Sequence, residues 1–342
     1  MFISFYELRG RLVMERILNA LKAAAEPTRL RLLALCAQGE LTVSDLVAIV
    51  GQSQPRVSRH LKLLCDAALL ERFREGGWVF YRLAPRGAGA ELVRHIMSLT
   101  APDDPALVRD NGRLAAIRQA HAAAAAAYFR DNAARWAQIR SLHVDEAEVE
   151  SALRQVLADR PIADLLDVGT GTGRLLQILG PFAERAEGVD MSREMLAIAR
   201  SNIEAAGLCH CGVRQADMYR LPFADRSFDV VTIHQVLHFA ESPGVAVAEA
   251  ARVLRPGGRL ALVDFAPHEL ESLRSEHSHR RLGFSDAEVS DWCAAADLAV
   301  QRILRLPGHP LTVNIWLASR QTVAAPPGPD ISSPIPVFGG AA

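Results

Sequence analysis

The chain has 342 residues, 50% of them hydrophobic, which is enough for two cores of ordinary size. Its 38 Lys plus Arg against 39 Asp plus Glu leave a formal net charge of −1, so charge alone names no partner. No apolar run is long enough to cross a membrane, and five cysteines, an odd number without a disulfide framework, fit a protein of the reducing cytoplasm.

Residues 1–13 mix acidic, basic and apolar side chains without a cleavage pattern, so no secretory signal is expected, and Met14 offers a second candidate start. Pro27-Thr28-Arg29-Leu30-Arg31-Leu32-Leu33 opens a helix with a broad apolar face. Thr42 and Asp45 have the spacing of an N-cap and its acidic partner, and the helix they start should stop at Gly51. Ser53 should cap the next helix, where Val57, Leu61 and Leu64 repeat at helical spacing and must face inward. That leaves Gln54, Arg56, Arg59 and Lys62 outward, with Ser58 and His60 on the flanks. Residues 69–74 and 78–83 are strand-like runs around Glu75-Gly76-Gly77, which makes a hairpin.

Three helices and a hairpin describe a winged helix-turn-helix. From Ala25 to Leu83 the chain resembles the DNA-binding domain of the ArsR/SmtB regulators, most closely in Glu26-Pro27-Thr28-Arg29-Leu30 and Val57-Ser58-Arg59-His60-Leu61-Lys62-Leu63-Leu64. The resemblance implies a domain over residues 15–98 that binds a double-stranded DNA operator, and a homodimer reading two half-sites. Gln54, Arg56, Ser58, Arg59 and His60 would stand near base edges or phosphates in the major groove. Arg72, Arg74 and Arg82 on the wing would touch the DNA backbone. Residues 15–95 hold 12 Lys plus Arg against 8 Asp plus Glu, a small excess that permits DNA binding. The competing reading is a solvated helix on a protein-binding module. Thr42 and Ser44 occupy the places of the thiolates in the metal-sensing members, and hydroxyls are poor ligands for soft ions, so no metal site is expected there. Cys36 and Cys65 read as small core residues, and Cys209-His210-Cys211 lacks a complementary pair.

Pro102-Asp103-Asp104-Pro105 marks a break, and residues 107–140 read as an Ala-rich helix within a connector or lid over residues 99–145. His121 reads as helix filler there, and Tyr128, Phe129 and Trp136 as ordinary packing or as a wall of an acceptor pocket. In the run Leu165-Leu166-Asp167-Val168-Gly169-Thr170-Gly171-Thr172-Gly173 an apolar strand ends in alternate glycines, leaving bare backbone where a ligand can approach. A dinucleotide fingerprint needs its third glycine one position later, where Arg174 stands, so a cofactor without a pyrophosphate is favoured. A second short strand closes at Asp190, about 20 residues after the first glycine, where a carboxylate can accept ribose hydroxyls. Asp217-Met218 follows a third strand, residues 228–233 form a continuous apolar strand, and Pro256-Gly257-Gly258 turns a helix into another.

In that order these pieces resemble the class I S-adenosylmethionine-dependent methyltransferases from about Asp164 to Arg320, which implies a domain over residues 146–320 with a Rossmann-like α/β fold and a mostly parallel seven-stranded sheet. The resemblance implies that Gly169, Gly171 and Gly173 lie against the methionine part of S-adenosylmethionine, with Asp167 steadying the loop and the amino group. Asp190 and its neighbour Met191 would lie at the ribose, and Asp217 and Met218 at the adenine. Residues 298–304 and 311–318 would supply the last strands, the second antiparallel. Residues 321–342, rich in Pro, Gly, Ala and Ser, read as a disordered tail.

A sulfonium methyl needs little acid-base help, so catalysis rests on alignment with a small-molecule acceptor. His234 and His238 are the candidate catalytic residues for deprotonating it or contacting it, and a satisfied structural histidine is the favoured competing reading for each. His268, His277 and His279 fall on a helix and loop rich in His and Arg that read first as wet surface, with recognition of an acidic acceptor or binding of a metal as alternatives; the helix should end at Gly283, before a capping box at Ser285 and Glu288. Two functions fit: a DNA-binding regulator whose rear domain methylates a small molecule, or a non-catalytic repressor responsive to S-adenosylmethionine or its demethylated product. A nicotinamide oxidoreductase is disfavoured by Arg174 and Asp217-Met218.

Overall fold

The computed structural model describes residues 5–75, 77–84, 88–101, 103–133 and 146–320. The expected tail, Trp136, Gly76 of the hairpin turn and the last part of the connector lie outside them. Helices α1 (Phe5–Ala24), α2 (Pro27–Cys36), α3 (Val43–Val50) and α4 (Gln54–Asp66) precede a hairpin of β2 (Leu70–Glu75) and β3 (Trp78–Leu83), with β1 (Leu41–Thr42) paired to β3. Each boundary has a local cause. Glu26 accepts a bond from the Arg29 amide at the start of α2, Thr42 and Asp45 complete a reciprocal capping box on α3, and Gly51 ends α3 in the left-handed region. Ser53 stands at the N-cap of α4 but makes no side-chain bond there; Pro55 in the first turn removes one of the donors such a cap would serve. Leu32, Leu33, Leu46, Val57, Leu61 and Leu64 close the core as their spacing requires.

Helix α5 (Ala88–Leu99) leads to α6 (Pro105–Asn132), whose 28 residues at about 1.5 Å each reach roughly 40 Å. This long helix is fastened to the N-terminal unit. Leu114 enters that unit's core, Asp110 takes both bonds of the Arg31 guanidinium at 2.6 and 2.7 Å, and Arg113 and Arg118 donate to the Ile49 and Gln38 carbonyls. Its far end reaches the second unit, where Phe129 packs edge-on against Phe239 at 4.7 Å.

That second unit is a seven-stranded sheet in the order β6-β5-β4-β7-β8-β10-β9. The strands are β4 (Ile162–Val168), β5 (Ala183–Asp190), β6 (Cys211–Gln215), β7 (Phe228–His234), β8 (Leu254–Phe265), β9 (Leu298–Leu306) and β10 (Val313–Arg320). Strands β4 to β8 pair in parallel, and β10 runs antiparallel between β8 and β9, as expected. Alternate residues of one strand feed opposite faces: Leu165 and Val230 join one core, Leu166, Val231 and Ile233 the other. Helices α7 (Glu146–Leu157) and α8 (Arg174–Leu179) help cover the first face. Helices α10 (Pro243–Val253) and α12 (Asp286–Ala295) cover the second, while α9 (Arg193–Ala205) supplies Ile203 to the first core and packs beside β6.

One helix ends elsewhere than its sequence suggests. Helix α11 (Ser272–His277) stops at Ser278, which takes the left-handed conformation, while Gly283 lies five residues on, outside any helix. A Cβ at Gly283 would come within 2.2 Å of the Ala266 carbonyl oxygen, so that glycine allows a close backbone crossing instead.

Candidate active site

The chain leaves β4 at the sheet's switch point, where the first three parallel strands run one way and β7 returns on the other side of β4. Gly169, Gly171 and Gly173 have φ of 72°, 53° and 78°, a run of left-handed backbone that side chains rarely tolerate. A Cβ on Gly169 would stand 2.3 Å from Val236 Cγ2, so packing excludes one as well. The loop is pinned to β5, because the Gly169 and Thr170 amides both donate to the Val189 carbonyl, at 2.8 and 2.9 Å. Beside it the Asp190 carboxylate accepts from the Gly171 amide at 2.9 Å and the Ser192 amide at 2.8 Å. Burial pushes the Asp190 carboxyl above the ordinary carboxylate range, opposed by those backbone bonds. Asp167 is buried and accepts from the Thr232 hydroxyl at 2.7 Å. Arg174, which stands where a dinucleotide site wants glycine, turns to α7 and binds Glu150 in a two-pronged pair at 2.6 and 2.7 Å.

A cavity of about 680 Å³ opens over this loop. Asp167, Gly169, Gly171, Asp190, Met191, Asp217 and Met218 all line it; Gly173 does not, and caps α8 behind it. Its volume lies within the range of small-molecule sites.

The histidines sort differently from the sequence reading. His234, at the end of β7, lines the cavity. His238 does not: its Nδ1 lies 2.7 Å from Asp264 Oδ1 inside the protein, and its ring stacks at 4.0 Å on His279, which does line the cavity. A 3-10 turn at Leu237–Phe239 rotates His238 away and brings Phe239 to the wall. The expected wet surface around residues 277–281 is largely covered. His279, Arg280 and Arg281 are buried, and His277 Nδ1 lies 2.7 Å from the Tyr128 hydroxyl. His121, expected to be helix filler, accepts from Arg280 Nη1 at 2.7 Å, and Arg280 Nη2 donates to Glu241 at 2.8 Å. His121, Phe129, Arg280 and Glu241 all line the cavity. Arg280 belongs to the His- and Arg-rich stretch visible in the sequence, whereas Glu241 gave no motif or spacing signal.

In the N-terminal unit Gln54, Arg56 and Arg59 are exposed on α4, Ser58 is half-exposed, and Arg72 and Arg74 are exposed on the outer strand β2. Two of the residues expected at the DNA have partners within the protein. His60 is half-buried, with Nδ1 3.6 Å from the Glu26 carboxylate of its own unit. Arg82 donates to Glu40 at 3.0 Å and approaches Glu288 of the sheet unit at 3.6 Å. For Arg82 the reason is that the hairpin lies against the second unit: the Gly77 amide donates to Glu271 at 2.7 Å, and the Arg274 guanidinium lies over the Trp78 ring at 4.4 Å.

Among the described residues no group of three or more His, Cys, Asp or Glu is gathered to hold a metal ion, and no helix is long and apolar enough to cross a membrane. Comparison with known proteins then separates the two halves. Residues 26–72 match the model for bacterial regulatory proteins of the arsR family, and residues 166–262 match a methyltransferase domain. The chain joins an ArsR-family regulatory domain to a methyltransferase domain. An uncharacterized methyltransferase, YcgJ of Bacillus subtilis, is 32% identical over 173 residues, covering 47% of this chain and 66% of that protein. A demethylmenaquinone methyltransferase of Thermus thermophilus is 44% identical over 105 residues, covering 30% of this chain and 47% of its own. The chain thus spans between 47% and 66% of the length of these relatives. The solved structure of the Bacillus protein aligns over 51% of this chain and 99% of its own with a TM-score of 0.46 and 23% identity. The fold of the methyltransferase domain rests on its strand order and register.

Proposed function

We propose that the methyltransferase domain transfers a methyl group from S-adenosylmethionine to a small molecule, and that the ArsR-family domain binds an operator in duplex DNA in the cytoplasm. The observation that carries the reading is the Asp190 carboxylate, held by the Gly171 and Ser192 amides at the mouth of the glycine loop and facing the cavity. Ribose hydroxyls donate to that carboxylate, the glycine backbone admits the methionine part, and Asp217 and Met218 flank the adenine. The residues fit the cofactor by their chemistry, since a carboxylate able to accept ribose hydroxyls stands beside glycine backbone that carries no side chains at the cavity. When bound, S-adenosylmethionine would supply an electrophilic methyl group to a lone pair on the acceptor. His234 takes the acceptor's proton, and the protein's share is alignment and exclusion of water. Calorimetry with S-adenosylmethionine, its demethylated product and NADH tests this: binding of the first two supports it, and tight binding of NADH alone overturns it.

The second reading, a regulator that senses the cofactor without turnover, is favoured by the docking of the wing on the methyltransferase domain. Any ligand that binds the docked arrangement better than an undocked one shifts operator affinity by that difference. Release of demethylated cofactor with a cellular extract as acceptor source separates turnover from sensing.

For the DNA surface, Arg59→Ala is expected to cost about 1–3 kcal/mol of operator binding while leaving cofactor affinity unchanged. Fluorescence anisotropy with a duplex selected from a random library measures it, and equal binding by the variant would move the recognition surface off α4. Met14, Ile17, Leu18 and Leu21, all between 38% and 60% exposed, form an apolar stripe at helical spacing along α1. That stripe supports a homodimer, which two half-sites would require. Light scattering is expected to give the mass of two 37.2 kDa chains, and Leu18→Glu the mass of one.

A further inference from the structure

Trp78 sits at the start of β3, on the wing of the ArsR-family domain, yet it lines the same cavity as the glycine loop of the methyltransferase domain. One side of its indole is covered by the Arg274 guanidinium, and 40% of its surface remains open. The position is held firmly. Arg281, only 3% exposed, pairs with Glu40 of the ArsR-family domain at 2.6 Å and with Glu288 at 2.8 Å, and lies over the Phe73 ring of β2 at 5.1 Å. Arg274, 6% exposed, is sandwiched in the same seam. Undocking the ArsR-family domain would part Arg281 from Glu40 and the Phe73 ring, and Arg274 from the Trp78 ring.

The wall around Trp78 has a consistent chemistry. Phe129 from α6 and Phe239 from the 3-10 turn add two more ring faces. Arg118, Arg274 and Arg280 line this end with the carboxylate Glu241, whereas Asp167, Asp190, Glu194 and Asp217 outnumber Arg130 and Arg193 at the end under the glycine loop. The cavity is therefore acidic where the cofactor's ribose and amino group would lie and basic where an acceptor must enter.

We propose that Trp78 of the wing is a wall of the acceptor site, and that the acceptor is a planar aromatic molecule carrying a negative charge. This rests on the reading that the cofactor occupies the glycine-loop end. The aromatic body lies against Trp78, Phe129 and Phe239, and the charge faces Arg118, Arg274 and Arg280. The acceptor site is complete only when the DNA-binding domain is docked, so Trp78 acts as a specificity residue supplied from outside the methyltransferase domain.

The test uses the full chain saturated with demethylated cofactor and titrated with 2-naphthoate, a planar anion, and with 2-naphthamide, its neutral counterpart. One naphthoate per chain is expected, binding at least about tenfold more tightly than the amide. Trp78→Ala should weaken naphthoate about tenfold, while Trp78→Phe, which keeps a ring, stays close to the parent. Trp78→Leu keeps apolar bulk in the seam without a stacking face and should lose the same affinity as the alanine variant, which separates ring contact from loss of docking. Cofactor affinity should not change in any of the three. Naphthoate binding indifferent to Trp78→Leu, absent from the parent, or no tighter than the amide would overturn the proposal. Failure of the demethylated cofactor itself to bind the parent would instead overturn the cofactor reading beneath it.

Discussion

Asp190→Ala is expected to lower affinity for S-adenosylmethionine by roughly 10- to 150-fold for each ribose hydroxyl bond removed, since a hydrogen bond to a charged group contributes about 1.5–3 kcal/mol. The two bonds share one carboxylate and need not add, so the total is expected to exceed a single bond without reaching the product of two. The same residue sets a pH dependence whose sign follows from its surroundings. Burial raises the Asp190 carboxyl above its ordinary value despite the bonds from Ser192 and Gly171. Ribose hydroxyls donate to the ionised form, so binding requires the proton to leave. Affinity should therefore fall on acidification, beginning at a higher pH than an ordinary carboxylate would give. Stability without ligand runs the other way. A folded-state value above the unfolded one means that the fold carries a penalty for the charge at neutral pH, a penalty that disappears below the unfolded value. Asp190→Asn keeps one acceptor oxygen where the Gly171 and Ser192 amides use two, and it is expected to remove tight cofactor binding. Calorimetry across pH, paired with thermal melts of the unliganded protein, checks both halves. Unchanged cofactor affinity in Asp190→Ala would place the nucleoside elsewhere.

The second large effect concerns the seam between the domains. Arg281→Ala is expected to destabilise the protein by about 3–5 kcal/mol, because it removes one partner from a buried cluster and leaves Glu40 and Glu288 facing each other's charge. Arg82 approaches both carboxylates, at 3.0 and 3.6 Å, but it is more exposed than Arg281 and compensates only in part. For Glu288, burial raises the carboxyl and the Arg281 charge and hydrogen bond more than offset it, so the net shift is downward. A folded value below the unfolded one contributes stability that is present above the unfolded value and lost as pH falls through the folded one. Without Arg281 the burial effect is left opposed chiefly by the Ser285 bonds and Arg82, and the acid limb of the stability profile should move to higher pH. Urea unfolding of the variant at several pH values measures the loss. A change below about 1 kcal/mol would mean that the seam behaves as an exposed ion pair and that the wing is loosely held.

The outcome for the wing shows where sequence reasoning stops. Arg72, Arg74 and Arg82 look alike in a strand-turn-strand segment, each a basic residue on a hairpin. Whether one faces solvent or a partner depends on what approaches the hairpin, and for Arg82 that is Glu40, 42 residues earlier, and Glu288, more than 200 residues later. His234 and His238 stand four residues apart at the end of a strand, and one short 3-10 turn decides that the second ring turns away from the cavity. Composition cannot report a rotation of that kind.

Features decided within a few residues were legible from the chain alone. The glycine loop, the capping boxes at Thr42 and Ser285 and the inward stripe of α4 depend on local backbone geometry and side-chain period, both of which the sequence carries directly. The seven-stranded order followed from apolar strands separated by helices, together with the family resemblance those motifs support. Tertiary structure alone decided that the connector is a strut rather than a tether, that His279, Glu241 and Arg280 stand at the cavity, and that Trp78 crosses from one domain to the wall of the other. Those facts depend on contacts between residues far apart in the chain, whose energies come from desolvation and packing when surfaces meet. No local pattern of residues encodes which distant surface that will be.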